Sequence, residues 1–217
     1  MPEHKKQLLI KIDGFSLRAK QNGISRVVKK TLEHLARNPN VDIEIYNKFI
    51  LPNDVKYKQV VNTTKDKNFD KIVVWTANHR LTRRFKTTIP VIATIHDLVW
   101  KTCPETMHPR TYLAEKLFFK HTIKRANIIT CVSQATFSDL IRFYPEVEKK
   151  ARIVRLGADA PIGNIKSDRT GDYALFVGTR EPRKNLDRLI AAYDMLPKST
   201  QAKCKLVIAG KFGWGFH

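Results

Sequence analysis

The sequence predicts an α/β protein: a parallel sheet covered by helices, followed by the start of a second unit of the same kind. Three observations lead there. Short apolar runs rich in Val and Ile alternate with stretches whose apolar residues recur every three or four positions, as strands and helices do in a parallel sheet. Those runs end in glycine or polar residues, where the chain would leave a sheet. From Gly157 to Asp172 the composition turns to Gly, Pro, Asn, Ser and Asp without periodicity, and strand and helix patterns then resume.

Taken in order, Leu8 to Ile12 is a first strand, and Gly14 to Gly23 a polar, glycine-bounded loop. Ile24, Val27, Val28, Leu32 and Leu35 share one face of a helix that Asn38, Pro39 and Asn40 end. Val41 to Tyr46 alternates with acidic residues as VDIEIY, predicting a half-exposed strand, and Ile72 to Trp75 is a denser, buried one. Val91 to Ile95 is a strand that ends at His96 and Asp97. Tyr112 to Ala126 reads as a helix, Ile128 to Val132 as a strand, Gln134 to Tyr144 as a helix stopped by Pro145, and Ile153 to Leu156 as a strand. In the second unit Tyr173 to Val177 is a strand, Leu186 to Leu196 a helix and Lys205 to Ala209 a strand closed by Gly210. The domains predicted are residues 1–157, a linker over 158–171, and a partial unit over 172–217.

The chain has 217 residues, enough for a sizeable buried core, and 42% of them are hydrophobic, which excludes overall disorder. Forty Lys and Arg face twenty Asp and Glu, so the surface attracts phosphates, nucleic acid or an anionic membrane leaflet. No stretch approaches the roughly 20 apolar residues that span a bilayer, and a cytoplasmic location is expected. Cys103, Cys131 and Cys204 are odd in number and lack C-x-x-C spacing, so they are expected to be reduced, mostly buried thiols rather than disulfides or metal ligands.

Ligands of open α/β sheets bind beyond the carboxyl ends of the strands, so motifs there weigh most. The loop ending N-G-I-S-R, Asn22 to Arg26, puts Gly23 at a helix N-terminus, where backbone can approach an anion closely; alone it reads equally as a turn glycine. His96 and Asp97 stand at a strand end, where the imidazole can hydrogen-bond a sugar hydroxyl or a carbonyl and the carboxylate can orient it; a structural role is the rival reading. His79, in A-N-H-R, has a similar place without an acidic neighbour and reads as structural. Gly178-Thr-Arg-Glu-Pro-Arg-Lys-Asn185 is the strongest local signal. It crowds Arg180, Arg183 and Lys184 into a strand-to-helix loop with Gly178 at its turn, supplying the donors, positive charge and helix dipole that a diphosphate needs; a solvated basic loop is the alternative.

The run from Ile89 to Trp214, with I-P-V-I-A-T-I-H-D, C-V-S-Q-A-T-F-S-D-L, Y-A-L-F-V-G-T-R-E-P-R-K-N-L-D-R-L-I-A-A-Y and L-V-I-A-G-K-F-G-W, resembles the family-four retaining glycosyltransferases of GT-B fold, the glycosyl transferases group 1. The N-G-I-S-R loop is similar to theirs, and the likeness is weaker between Asn40 and Thr88. The resemblance implies two Rossmann-like domains facing a cleft, an N-terminal one for the acceptor and a C-terminal one for a nucleotide-diphospho-sugar, with retention of configuration and no metal or cofactor. It implies that Gly23 approaches the donor phosphate or sugar, that His96 contacts the transferring sugar, and that Lys184 neutralises the leaving diphosphate. Its arginine partner is Arg183 or Arg180: the common pattern has arginine directly after the glycine, where this chain has Thr179. The E-x7-E element of the family's donor domain has no counterpart, so truncation and inactivity of the chain alone are expected.

Basic residues also cluster at Arg80, Arg83, Arg84 and Lys86, and Lys116, Lys120 and Lys124 form a helical stripe near Leu113, Leu117, Phe118 and Phe119. That mixture suits a peripheral position on the inner membrane face, where lipid-linked or lipopolysaccharide acceptors reside. Two rival readings stay open: a non-catalytic remnant or subunit, and a basic nucleic-acid-binding protein, though no helix-turn-helix, zinc-finger or RRM signature is present.

Overall fold

The computed structural model describes residues 6–13, 23–46, 69–78, 80–81, 88–158 and 171–214. In chain order its strands and helices are β1 (Lys6–Asp13), α1 (Gly23–Leu35), β2 (Val41–Tyr46), β3 (Phe69–Thr76), β4 (Val91–Ile95), α2 (Val99–Thr102), α3 (Pro109–Arg125), β5 (Ile128–Cys131), α4 (Gln134–Phe143), β6 (Ala151–Ile153), β7 (Asp172–Val177), α5 (Leu186–Asp194), α6 (Lys198–Lys203) and β8 (Cys204–Ala209). The fold is α/β, with two compact units: Met1–Leu98 with Ala114–Gly157, and Val99–Leu113 with Ala158–His217.

The first unit holds a six-stranded sheet of order β2-β1-β3-β4-β5-β6. Every pairing is parallel, from Leu8↔Val41 at one edge to Cys131↔Ile153 at the other. The chain winds outward in both directions from β1. Right-handed crossovers then put α1 on one face and the part of α3 from Ala114 onward, with α4, on the other. Alternation along the strands agrees. Ile12 packs with Val28 and Leu32 of α1, while Leu9, Val74, Val91, Ala93, Ile95, Ile129 and Cys131, which point the other way, are all 0% exposed. Beyond α1 its face keeps an apolar groove of about 280 Å³, lined by residues including Ile10, Leu35, Trp75, Ile92, Val132 and Leu156. Helix ends are satisfied locally: Ser133 caps α4 by accepting from the Thr136 N–H at 3.1 Å, and Lys150 Nζ donates to the Ala126 carbonyl, just past α3, at 2.8 Å.

In the second unit β7 and β8 pair in parallel from Asp172↔Cys204 to Val177↔Ala209, joined through α5 and α6. Its buried apolar side chains among the described residues include Trp100 and Leu186.

Three expectations change, and two short helices are added. VDIEIY is not half-exposed: Glu44 is buried and pairs with buried Lys11 across the β1–β2 register at 3.5 Å, so charge neutralisation makes its burial tolerable. The last strand of the first sheet is Ala151–Ile153, not Ile153 to Leu156. Strand pairing follows backbone register, and after the Val154 N–H bonds the Cys131 carbonyl the apolar run turns outward, with Val154 and Leu156 exposed. The thiols are free, but only Cys131 is buried; Cys204 is half-buried and Cys103 exposed, because Cys103 follows a short surface helix rather than lying in a sheet. The short helices α2 and α6 carry too few turns for periodicity to reveal them. His79, Arg83, Arg84, Lys86, the loop before Gly23 and most of the expected linker lie outside the described residues.

Candidate functional site

His96 stands one residue beyond the carboxyl end of β4. Its Nε2–H donates to the Ala77 carbonyl at 3.0 Å, just past β3. Its own carbonyl accepts from the Thr136 hydroxyl at 3.0 Å, and Thr136 is buried in the first turn of α4. Ring and backbone are thus tied to neighbouring elements, and the bond to a carbonyl assigns the ring proton to Nε2. Asp97 beside it is exposed.

Gly23 opens α1 and is exposed; a Cβ built there meets nothing within 4 Å. No described neighbour requires glycine at this position.

The second unit gathers the three cations of the strand-to-helix loop. Past β7, the Gly178 N–H bonds the Ala209 carbonyl at 3.0 Å, the Arg180 N–H bonds the Lys211 carbonyl at 2.9 Å, and the Gly213 N–H returns to the Arg180 carbonyl at 3.1 Å. The ladder therefore continues past both strands, as an isolated parallel bridge between Arg180 and Phe212. Two glycines make this close approach possible. Gly210 has φ +149°, and a Cβ there would lie 1.8 Å from the Gly178 oxygen; at Gly213 it would lie 2.5 Å from Glu181 Cγ. A Cβ at Gly178 itself meets only the Phe176 ring, at 3.6 Å, an ordinary contact.

Pro182–Lys184 then form a single 3₁₀ turn, and Asn185, at φ 55°, redirects the chain into α5. Asparagine tolerates this left-handed conformation better than most residues. Arg183 Nε donates to Glu181 Oε2 at 2.7 Å, a short charge-assisted bond. Arg180 lies with its guanidinium carbon 4.2 Å from the Phe212 ring centroid, and its Nε is buried without a hydrogen-bond partner. Lys184 is exposed. Cationic groups, a helix N-terminus and one unsatisfied buried donor, all features that favour an anion, thus lie together at this turn.

Sequence reasoning missed Thr136, Gly210, Phe212 and Gly213 as parts of these arrangements. A Gly-x-x-Gly run directly after a strand was the available signal for the last three. Among the described residues no group of three or more His, Cys, Asp or Glu could hold a metal ion, and no helix is long and apolar enough to cross a membrane.

Comparison with known proteins agrees with this architecture. The model of Glycosyl transferases group 1 matches residues 162–215, and that of Glycosyltransferase Family 4 matches residues 47–160. The O-antigen chain mannosyltransferase B of Escherichia coli is 29% identical over 150 residues, which cover 63% of this chain and 37% of that protein. The chain thus matches little more than a third of that relative's length. With an α/β fold of parallel sheets and more than half of its residues inside one family match, the chain belongs to Glycosyltransferase Family 4.

Proposed function

We propose that this chain takes part in retaining transfer of a sugar from a nucleotide-diphospho-sugar to a growing surface polysaccharide or lipid-linked glycan. Residues 1–157 serve the acceptor side, 158–171 link, and 172–217 contribute the diphosphate grip of the donor side. The observation that carries this reading is the turn before α5, with an exposed Lys184 and an Arg180 whose buried Nε lacks a partner. When the bond between the sugar's anomeric carbon and the diphosphate breaks, negative charge grows on the departing oxygens. Preorganised cations and a helix N-terminus stabilise that charge where it develops. Arg183 is engaged by Glu181, so Arg180 is assigned as the arginine partner of Lys184, with Arg183 flanking it. His96 contacts the transferring sugar with a ring already oriented by the Ala77 carbonyl, and the open space at Gly23 admits the donor phosphate or sugar. The relative's description as an O-antigen chain mannosyltransferase supports mannose as the sugar and an O-antigen-like glycan as the acceptor.

Isothermal titration of the 217-residue chain with GDP and with UDP tests the grip. Binding that Lys184→Ala weakens by about ten- to a hundredfold is expected, the range of a lost hydrogen bond to a charged group. Unchanged binding would remove Lys184 from the mechanism. Salt-sensitive retention on DNA without nucleotide binding would favour the nucleic-acid reading, and glycan binding without nucleotide binding a non-catalytic subunit.

The acceptor side is proposed to rest on an anionic leaflet at the inner membrane face. Along α3 Lys116, Lys120 and Lys124 are exposed, and Leu117 and Phe118 beside them are 64% and 42% exposed, while Phe119 is fully buried. Each basic side chain near such a surface contributes on the order of 1 kcal/mol. Co-sedimentation with phosphatidylglycerol vesicles, but not with phosphatidylcholine ones, is expected. Its survival in a Lys116→Glu, Lys120→Glu, Lys124→Glu variant would remove this stripe from the reading.

A further inference from the structure

We infer that Phe212 is a positioning residue for Arg180: its ring holds the guanidinium plane so that the N–H groups are presented to the donor diphosphate. This rests on the donor reading above. Phe212 is 71% exposed, so core packing does not account for its placement. Its placement is nevertheless tightly determined. Arg180 and Phe212 are partners of one parallel bridge, so their side chains project to the same side. The flanking bonds from the Arg180 and Gly213 N–H groups, at 2.9 and 3.1 Å, hold that register. Gly213 is pressed against Thr179 and Glu181 so closely that no side chain fits, which leaves the segment little freedom.

The chemistry of the contact suits an anion site. A guanidinium stacks through its flat face and donates hydrogen bonds only in its plane, so a ring on one face leaves the donating edge available for a bidentate grip. The neighbouring carboxylate does not compete, because Glu181 accepts from Arg183. Arg180 is therefore oriented by an aromatic face, and the buried Nε still lacks an acceptor. An acidic residue in the place of Phe212 would orient the guanidinium too, but would neutralise it.

The test is titration of the 217-residue chain with GDP and UDP, comparing wild type, Phe212→Leu, Phe212→Tyr, Phe212→Trp, Arg180→Ala and the Arg180→Ala, Phe212→Leu double variant. Phe212→Leu is expected to bind about three- to fivefold more weakly, the scale of an exposed cation–π contact, with unchanged thermal melting. Tyr and Trp restore the affinity, since each supplies a ring. In the Arg180→Ala background Phe212→Leu costs nothing further. A Phe212→Leu chain that binds as wild type does, or a loss that persists without Arg180, overturns this inference and leaves the donor reading intact. A wild-type chain that binds neither nucleotide overturns both.

Discussion

On one face of the six-stranded sheet Leu9, Val74, Val91, Ala93, Ile95, Ile129 and Cys131 are 0% exposed, whereas in the two-stranded sheet Leu175 and Val177 are 52% and 73% exposed. Yet the second unit carries the denser chemistry. Buried apolar area sets stability, and the first unit has far more of it. The proposed anion grip has a different requirement: donors must be held at fixed positions, and backbone pairing across Gly178, Arg180, Lys211 and Gly213 fixes this segment with little hydrophobic burial. Core and site are thus separable properties of this chain.

Removing the same ring from each unit probes that separation most strongly. Phe119→Ala is expected to destabilise the chain by about 3–5 kcal/mol, the range for a fully buried phenylalanine, whereas exposed Phe212→Ala should stay within about 0.5 kcal/mol. Urea denaturation followed by circular dichroism reads both, and equal losses would break the comparison. Next in size, Gly210→Ala forces a Cβ against the Gly178 oxygen from a backbone that only glycine adopts readily. Nucleotide binding is expected to fall more than tenfold while the unfolding of the first unit is unchanged. A variant that bound normally would show that the ladder beyond β8 is not what holds the cations.

The smallest effect concerns the first unit alone. Burial pushes the Cys131 thiol up to about 11 from an ordinary 9.0. The folded state therefore keeps a proton that the unfolded state releases, and the resulting stability is present below pH 9 and is lost as pH rises towards about 11. Urea midpoints of wild type and Cys131→Ala are expected to converge as pH rises from 9.0 to about 11, the span between those values. In the native chain exposed Cys103 should react with iodoacetamide well before Cys131. Equal rates would place Cys131 at the surface.

Much of the fold was legible because its signals are local. The strand Val91 to Ile95 matches β4, and the helix through Ile24 to Leu35 matches α1, since a β-branched run and a three-and-four spacing each report the geometry of their own segment. Arg180, Arg183 and Lys184 were legible for the same reason: they share one short loop, so no folding was needed to bring them together. Where the reading slipped, burial or pairing was decided at a distance. Glu44 looked solvent-facing until Lys11 stood opposite it, and the apolar Ile153 to Leu156 looked like a strand until backbone register chose Ala151 instead.

By itself, then, the sequence determined the order of the strands and longer helices, the α/β class and the chemical character of the cationic turn, all of which follow from residues within a few positions of one another. Tertiary structure alone decided the strand order, the Thr136 hydroxyl on the His96 carbonyl 40 residues away, and the Phe212 ring beneath Arg180. The physical reason is that hydrogen bonds and ring contacts depend on positions in space, and only the folded chain converts distant sequence positions into neighbours.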